Sequence, residues 1–364
     1  MHSNLKIGKQ IKHGGTGIVS NKLRRYVAMS HRIITALKYA FIIGFILFAI
    51  WSQNNLIITK EYIYTNPKIP KTFTGYTIAH ISDLHNTGLN VVRAVKRSDP
   101  DIVVVSGDLT SDDGKYHNSV DILNELAKHY EVYIVFGEYD TDLVGLTSAL
   151  SPSITVLENI SVDLKATNIN TDAFINEYIE KGVLKAFGEG DKDAIDYIEY
   201  TKKTLSEHAD KVIRLSGLPC DVNSGTLIED VYEFIGTDKS LFQIMAGHRA
   251  ELFDIVKLVD VDLYLSGHTH GKDDVTLGYK RGTYASQGTT MFLSNGIGKI
   301  SGEGTRILNY PSVTKIVLSD GTLREYNPLE KVLMHIMPNN SSQFNDDIGY
   351  REYKYTKEIE NQED

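Results

Sequence analysis

Four apolar runs in this chain end in the same way, and that shared ending constrains the fold more than any other feature. Leu263-Tyr264-Leu265-Ser266-Gly267 leads into His268-Thr269-His270-Gly271. Thr77-Ile78-Ala79-His80-Ile81-Ser82 leads into Asp83-Leu84-His85, and Asp101 to Gly107 leads into Asp108. Leu241 to Gly247 leads into His248. Each run has the length and continuous apolarity of a strand buried on both faces, and each stops at small residues followed by an acid or an imidazole. Open α/β sheets carry their chemistry at the carboxyl ends of their strands, so an α/β fold with ligands gathered on one rim is expected. Carboxylate and imidazole together suit Mn, Fe or Zn. His80 lies inside its strand and is expected to be a packed core histidine.

These residues resemble the calcineurin-like metallophosphoesterase family. Its order of DxH, GD, GNHD or GNHE, a lone His, then GHxH is matched by Asp83-Leu84-His85, Gly107-Asp108, Gly137-Glu138-Tyr139-Asp140, His248 and Gly267-His268-Thr269-His270. The stretch Gly288 to Gly298, followed by Arg306 and Pro311, is similar to the membrane-anchored branch of that family. The resemblance runs from about Gly75 to Leu323 and implies a four-layer α-β-β-α sandwich. It also implies a dinuclear metal site, with Asp83, His85 and His270 on one ion and His248 and His268 on the other. Asp108 is the natural bridge, because a carboxylate offers one oxygen to each ion.

The third motif departs from the family pattern. Glu138 stands where the family has Asn; it keeps an oxygen donor and adds a negative charge. Tyr139 stands where the family has the His that assists the leaving group. A tyrosine hydroxyl, with its ordinary pKa near 10, is a weak acid-base partner at neutral pH. Asp140, which in the family orients that histidine, is retained. Loss of a general acid typically costs about 10²–10⁴ in rate. The resemblance therefore implies hydrolysis of phosphomono- or diesters, with Tyr139 and Asp140 as altered catalytic residues. The alternative is a catalytically silent, membrane-tethered binding module. Gly296 and Gly298 fit either a phosphate approach or a tight turn. Arg306 is expected in a surface ion pair rather than on a phosphoryl oxygen.

Residues 1–60 contain nine Lys or Arg and no acid, leaving 29 basic against 47 acidic residues in the remainder. So acidic a body argues against nucleic-acid binding. Residues 1–32 are polar, basic and without clear helical period, which predicts a disordered cytoplasmic segment. Ile33 to Trp51 is nineteen residues with Lys38 as the only charge. That is long enough to cross a bilayer, and no small-x-small cleavage site follows. An uncleaved signal anchor is expected, its basic flank placing the N-terminus in the cytoplasm and the remainder outside. The rival reading is a secreted hydrolase whose mature chain begins beyond Trp51.

Residues 52–74 read as a stalk leading into an edge strand, with the catalytic domain at 75–338 and a disordered tail at 339–364. Helices are expected at Val91 to Arg97 and Val120 to His129, strands at Glu131 to Phe136, Ser153 to Leu157 and Val212 to Leu218, and a closing strand and turn at Val313 to Leu323. Between Leu157 and Val212, residues 166–211 hold ten acids and six bases. Their apolar spacing suggests an inserted helical hairpin, a possible surface for a protein partner. The single cysteine, Cys220, excludes an internal disulfide framework and reads as a buried small apolar residue.

Overall fold

Helix α1, Thr16–Asn55, takes in the whole apolar run in a computed structural model. That structure describes residues 16–166, 192, 195, 196, 199, 203, 211–220, 231, 232, 235, 236, 238–271, 279, 282–300, 304–306 and 309–321. The Arg25–Asn55 portion of α1 is long and apolar enough to span a membrane. Its large side chains, Phe41 and Phe45 among them, stand exposed. Contrary to expectation, the described part of the basic segment is helical from Thr16 onward. Once the apolar turns supply the nucleus, Leu, Lys, Arg, Ala and Met upstream are good helix formers and no proline interrupts them. Residues 1–15 and 339–364 lie outside the described residues.

The remaining unit is built on two six-stranded sheets. The first runs β1 (Ile58–Thr65), β12 (Ser312–Ser319), β2 (Thr77–Ile81), β3 (Ile102–Ser106), β4 (Glu131–Val135), β5 (Ile154–Val156). The second runs β10 (Gly282–Ser286), β11 (Thr289–Leu293), β9 (Leu263–Ser266), β8 (Phe242–Gly247), β7 (Val212–Leu218), β6 (Ser161–Lys165). In the first sheet β2, β3, β4 and β5 are mutually parallel and β12 runs against β2. In the second, β7, β8, β9 and β11 are parallel, with β6 and β10 antiparallel at the two edges.

Alternation along the central strands builds three apolar layers. Ile78, Ile102, Val104 and Val135 share an inner cluster with Leu215, Ile244, Leu263 and Leu265 of the other sheet. The opposite face of the first sheet, through Ala79, Ile81, Val103 and Val105, packs on three helices: α2 (Val91–Ser98), α3 (His117–Leu126) and α4 (Leu143–Ala149). Met245, Tyr264 and Met291 on the outer face of the second sheet meet Phe253 and Val256 of the short α5 (Phe253–Val256). The order is α-β-β-α, and burial on both faces is why the central strands read as unbroken apolar runs.

Three details depart from the sequence reading. The edge strand lies at Ile58–Thr65 and pairs with β12 along its whole length, so the sheet begins well before Gly75. Strand β6 was not expected. Only Val162 and Leu164 of its five residues turn toward apolar neighbours, and Asp163 faces outward to a bidentate ion pair with Arg214 at 2.7 and 3.0 Å. Helix α3 starts at His117 and ends at Leu126, three residues before the expected span at both ends. The hairpin expected over 166–211 lies outside the described residues apart from scattered positions.

Candidate metal centre

The loops after β2, β3, β4, β8 and β9 open onto one rim, and each delivers ligand-type side chains. The chain turns there through left-handed backbone: Asp83, His85, Asp108, His268 and His270 all have φ between 42° and 72°. Such conformations are uncommon for residues with a Cβ and cost on the order of 1–3 kcal/mol each, so packing around them must hold them. Gly107, at φ +84°, leaves room for His248, whose Nδ1 would lie 2.5 Å from a Cβ at that position. A Cβ on Gly137 would collide with the Asp108 carboxylate.

Asp83, His85, Asp108 and His270 are buried and offer donor atoms that all lie within 4.8 Å of one another. His85 Nδ1 donates to the Thr110 carbonyl at 2.8 Å, which leaves the lone pair on Nε2. That atom faces His270 Nε2 at 3.0 Å and Asp108 Oδ2 at 3.5 Å. His270 Nε2 also stands 3.3 Å from Asp83 Oδ1. Asp83 is held by the backbone N–H of His268, which donates to Oδ1 at 3.0 Å, and by the Ser82 hydroxyl on Oδ2. Electron-rich atoms converging at this density suit a cation at their centre, with backbone carbonyls fixing the imidazole tautomers.

A second group continues from Asp108. His248 Nε2 is 3.2 Å from Asp108 Oδ2, and its Nδ1 donates to the Ser106 carbonyl at 2.8 Å. The His268 ring packs edge-to-face on His248, centroids 5.2 Å apart. His268 Nδ1 is 3.6 Å from Glu138 Oε1. Asp108 thus stands between the two groups, its Oδ1 accepting the Tyr139 N–H at 3.0 Å. The Tyr139 ring lies perpendicular to that of His85 at 5.2 Å.

Electrostatics favour anionic ligands here. Burial alone would raise the Asp108 carboxyl, but His248 and His85 outweigh it and draw it down to about 2. Asp83 is likewise lowered against burial, chiefly by His270. Burial would lower His248, yet Asp108 and Asp83 push it up to about 10. The same negative field would hold a divalent ion.

Asp140 is buried between two of the ligand loops. Its Oδ1 accepts the Thr110 N–H at 2.8 Å and its Oδ2 the Gly137 N–H at 2.9 Å, so the carboxylate ties two ligand loops together. Burial raises its pKa in spite of those bonds. Gly296 and Gly298 also serve the loops: Gly298 N donates to the Asp83 carbonyl at 2.7 Å, and a Cβ there would strike Leu84. Arg306, expected at the surface, is buried. His80 is a core histidine as expected, with Nε2 on the Ser106 hydroxyl at 2.7 Å. Sequence reasoning missed Arg249, whose Nη2 donates to Glu138 Oε2 at 3.2 Å. A basic residue following the lone His was the available signal. It missed Asn309 as well, whose Nδ2 donates to the His270 carbonyl at 2.6 Å. Cys220 is half-buried and its thiol is pushed up to about 11 by burial, so it stays protonated.

A family model described as calcineurin-like phosphoesterase matches residues 76–272. An uncharacterized metallophosphoesterase of Campylobacter jejuni is 24% identical over 285 residues, covering 73% of this chain and 65% of the relative. The chain therefore spans just under two thirds of that relative's length. Among solved structures, the phosphopantetheinyl hydrolase of Mycobacterium tuberculosis aligns at 12% identity over 62% of this chain and 91% of the other, with a TM-score of 0.31. The NAD nucleotidase of Haemophilus influenzae aligns at 14% identity over 61% of this chain and 50% of the other, with a TM-score of 0.33.

Proposed function

Since this chain belongs to the calcineurin-like phosphoesterase family, we propose that it hydrolyses phosphomono- or diesters at a site holding two divalent ions. The observation that carries this reading is the buried convergence of Asp83, His85, Asp108 and His270 donor atoms within 4.8 Å. Those four would hold one ion; His248, His268 and one oxygen of Glu138 would hold the other, with Asp108 shared. When bound, such ions neutralise charge on the phosphoryl oxygens and make water a better nucleophile.

The chain's own groups do the positioning. Thr110 and Ser106 carbonyls fix the rings of His85 and His248, so each presents Nε2 to Asp108. Asp140 keeps the Asp108 and Glu138 loops in register. Tyr139, half-buried with its ring against His85, is the altered residue that would serve as proton donor. Without an imidazole at that position, esters with good leaving groups are the favoured substrates.

The test uses the full-length protein in detergent. Metal content is measured, and a chromogenic phosphodiester is assayed beside Asp108→Asn. Bound metal with Asp108-dependent turnover supports the reading. Metal without turnover assigns the protein to membrane-tethered binding, and no metal overturns both. For location, we propose a single-pass membrane protein with its N-terminus in the cytoplasm, because eight basic residues lie at or before Lys38 and no acid precedes Glu61. Protease added to intact cells should then cleave the phosphoesterase domain; full protection would reverse the orientation.

A further inference from the structure

The Glu138–Arg249 pair at the rim has a geometry that the metal ligands do not account for. Glu138 spans two partners, with Oε1 3.6 Å from His268 Nδ1 and Oε2 3.2 Å from Arg249 Nη2. Both side chains are about one third exposed, Glu138 at 33% and Arg249 at 37%, so solutes reach the pair. Arg249 follows His248 directly, and the Tyr264 hydroxyl donates to its backbone carbonyl at 2.7 Å, which fixes where the side chain begins. Its Nη1 stands 3.8 Å from Glu251 Oε1, and the guanidinium also meets the Cys220 thiol. A guanidinium carries five N–H groups in a planar fork that fits two oxygens of one oxyanion. Here the two carboxylates take that fork at long range, 3.2 and 3.8 Å.

We infer that Arg249 is the phosphoryl-binding residue of this site and that Glu138 Oε2 is a built-in competitor for it, its contact with Arg249 released when the phosphate group of the substrate reaches the guanidinium while Oε1 stays beside His268. The assignment rests on the phosphoesterase reading above. The Glu138 carboxylate lies between an imidazole of the metal-ligand set and the guanidinium, so its Oε2 stands on the side from which an oxyanion would reach Arg249. A phosphoryl group offers more oxygens and more charge than a carboxylate, so it outcompetes Glu138 Oε2 for Nη2. A neutral amide at 138 would not hold Arg249 back, whereas the glutamate offsets the charge of the guanidinium. Substrates carrying a full dianion would displace Glu138 more readily than singly charged diesters, so the pair selects for monoesters or for terminal phosphate groups.

Calorimetry with inorganic phosphate tests this, using Mn-loaded full-length protein in detergent, with metal content measured for every variant. Glu138→Gln keeps an oxygen donor and removes the charge. It should tighten phosphate binding by about three- to fivefold, the scale of a part-exposed ion pair. Arg249→Met should weaken binding by about tenfold or more, the scale of a charged hydrogen bond. In the double variant the gain from Glu138→Gln should vanish. Should Arg249→Met fail to fold, Arg249→Lys keeps the charge without the fork and should still weaken binding. Phosphate affinity indifferent to Arg249, or a Glu138→Gln gain that persists without Arg249, would overturn the assignment. Absence of metal from the wild-type protein would instead overturn the phosphoesterase reading beneath it.

Discussion

Five of the nine non-glycine residues with positive φ among the described residues are candidate ligands: Asp83, His85, Asp108, His268 and His270. That concentration marks the rim as the place where folding accepts local strain to aim side chains. The residue types at these positions were legible in the sequence, because small residues followed by an acid or imidazole stand out after an apolar strand. Their partners were not: the Thr110 and Ser106 carbonyls, and Arg249, become visible only when distant loops meet. Glu138 and Tyr139 stand where the resemblance in the sequence implies Asn and His. Replacing the pair with Asn-His should raise kcat on a chromogenic phosphodiester, by up to about 10² in a general-acid-limited reaction. An unchanged kcat would show that protonation of the leaving group does not limit the rate. His80 gives a separate prediction. Burial lowers it from 6.5 to about 4. The folded value lies below the unfolded one, so protons favour the unfolded chain. Its contribution is complete above pH 6.5 and is lost as pH falls toward 4. Between pH 7 and pH 5 this amounts to about 2 kcal/mol. Urea titrations should show His80→Gln losing less stability over that interval than the wild type; identical slopes would remove His80 as the cause.

At the scale of elements, continuous apolar runs located β2, β3, β8 and β9 because both faces of those strands are covered. Edge strands carry half that signal. In β6 alternate residues face solvent, so Ser161–Lys165 looks like loop until Val212–Leu218 is seen beside it. Strand β1 has the same character, with Lys60 and Glu61 among eight residues. It nevertheless covers β12 from Ser312 to Ser319, and Tyr64 donates its hydroxyl to the Asp262 carbonyl of the other sheet at 2.9 Å. A truncated protein beginning at residue 67 should therefore be less stable than one beginning at Asn55, with a freshly exposed sheet edge that promotes aggregation. Equal thermal midpoints and equal solubility would show that β1 is dispensable. Leu265 belongs to the inner cluster between the sheets, where Leu265→Ala should cost about 2–5 kcal/mol in denaturant titrations.

For the molecule as a whole, two buried acids and a set of imidazoles converge on left-handed backbone at one rim. A ligand that binds only the folded state stabilises it by mass action, about 2.7 kcal/mol at a hundred times its Kd. Chelation by EDTA should therefore lower the thermal midpoint by about 5 °C or more, and Mn should restore it. A midpoint indifferent to EDTA and Mn would argue against a resident metal. The sequence by itself determined the class of fold, the apolar span near the N-terminus and the residues able to bind metal, because burial periodicity and ligand chemistry are local properties of the chain. Only the tertiary structure decided which of those residues meet, that Asp140 braces two ligand loops, and that Arg249 answers the charge of Glu138. Those outcomes depend on sheet order and on loops separated by more than a hundred residues, and no local pattern encodes a distance across the fold.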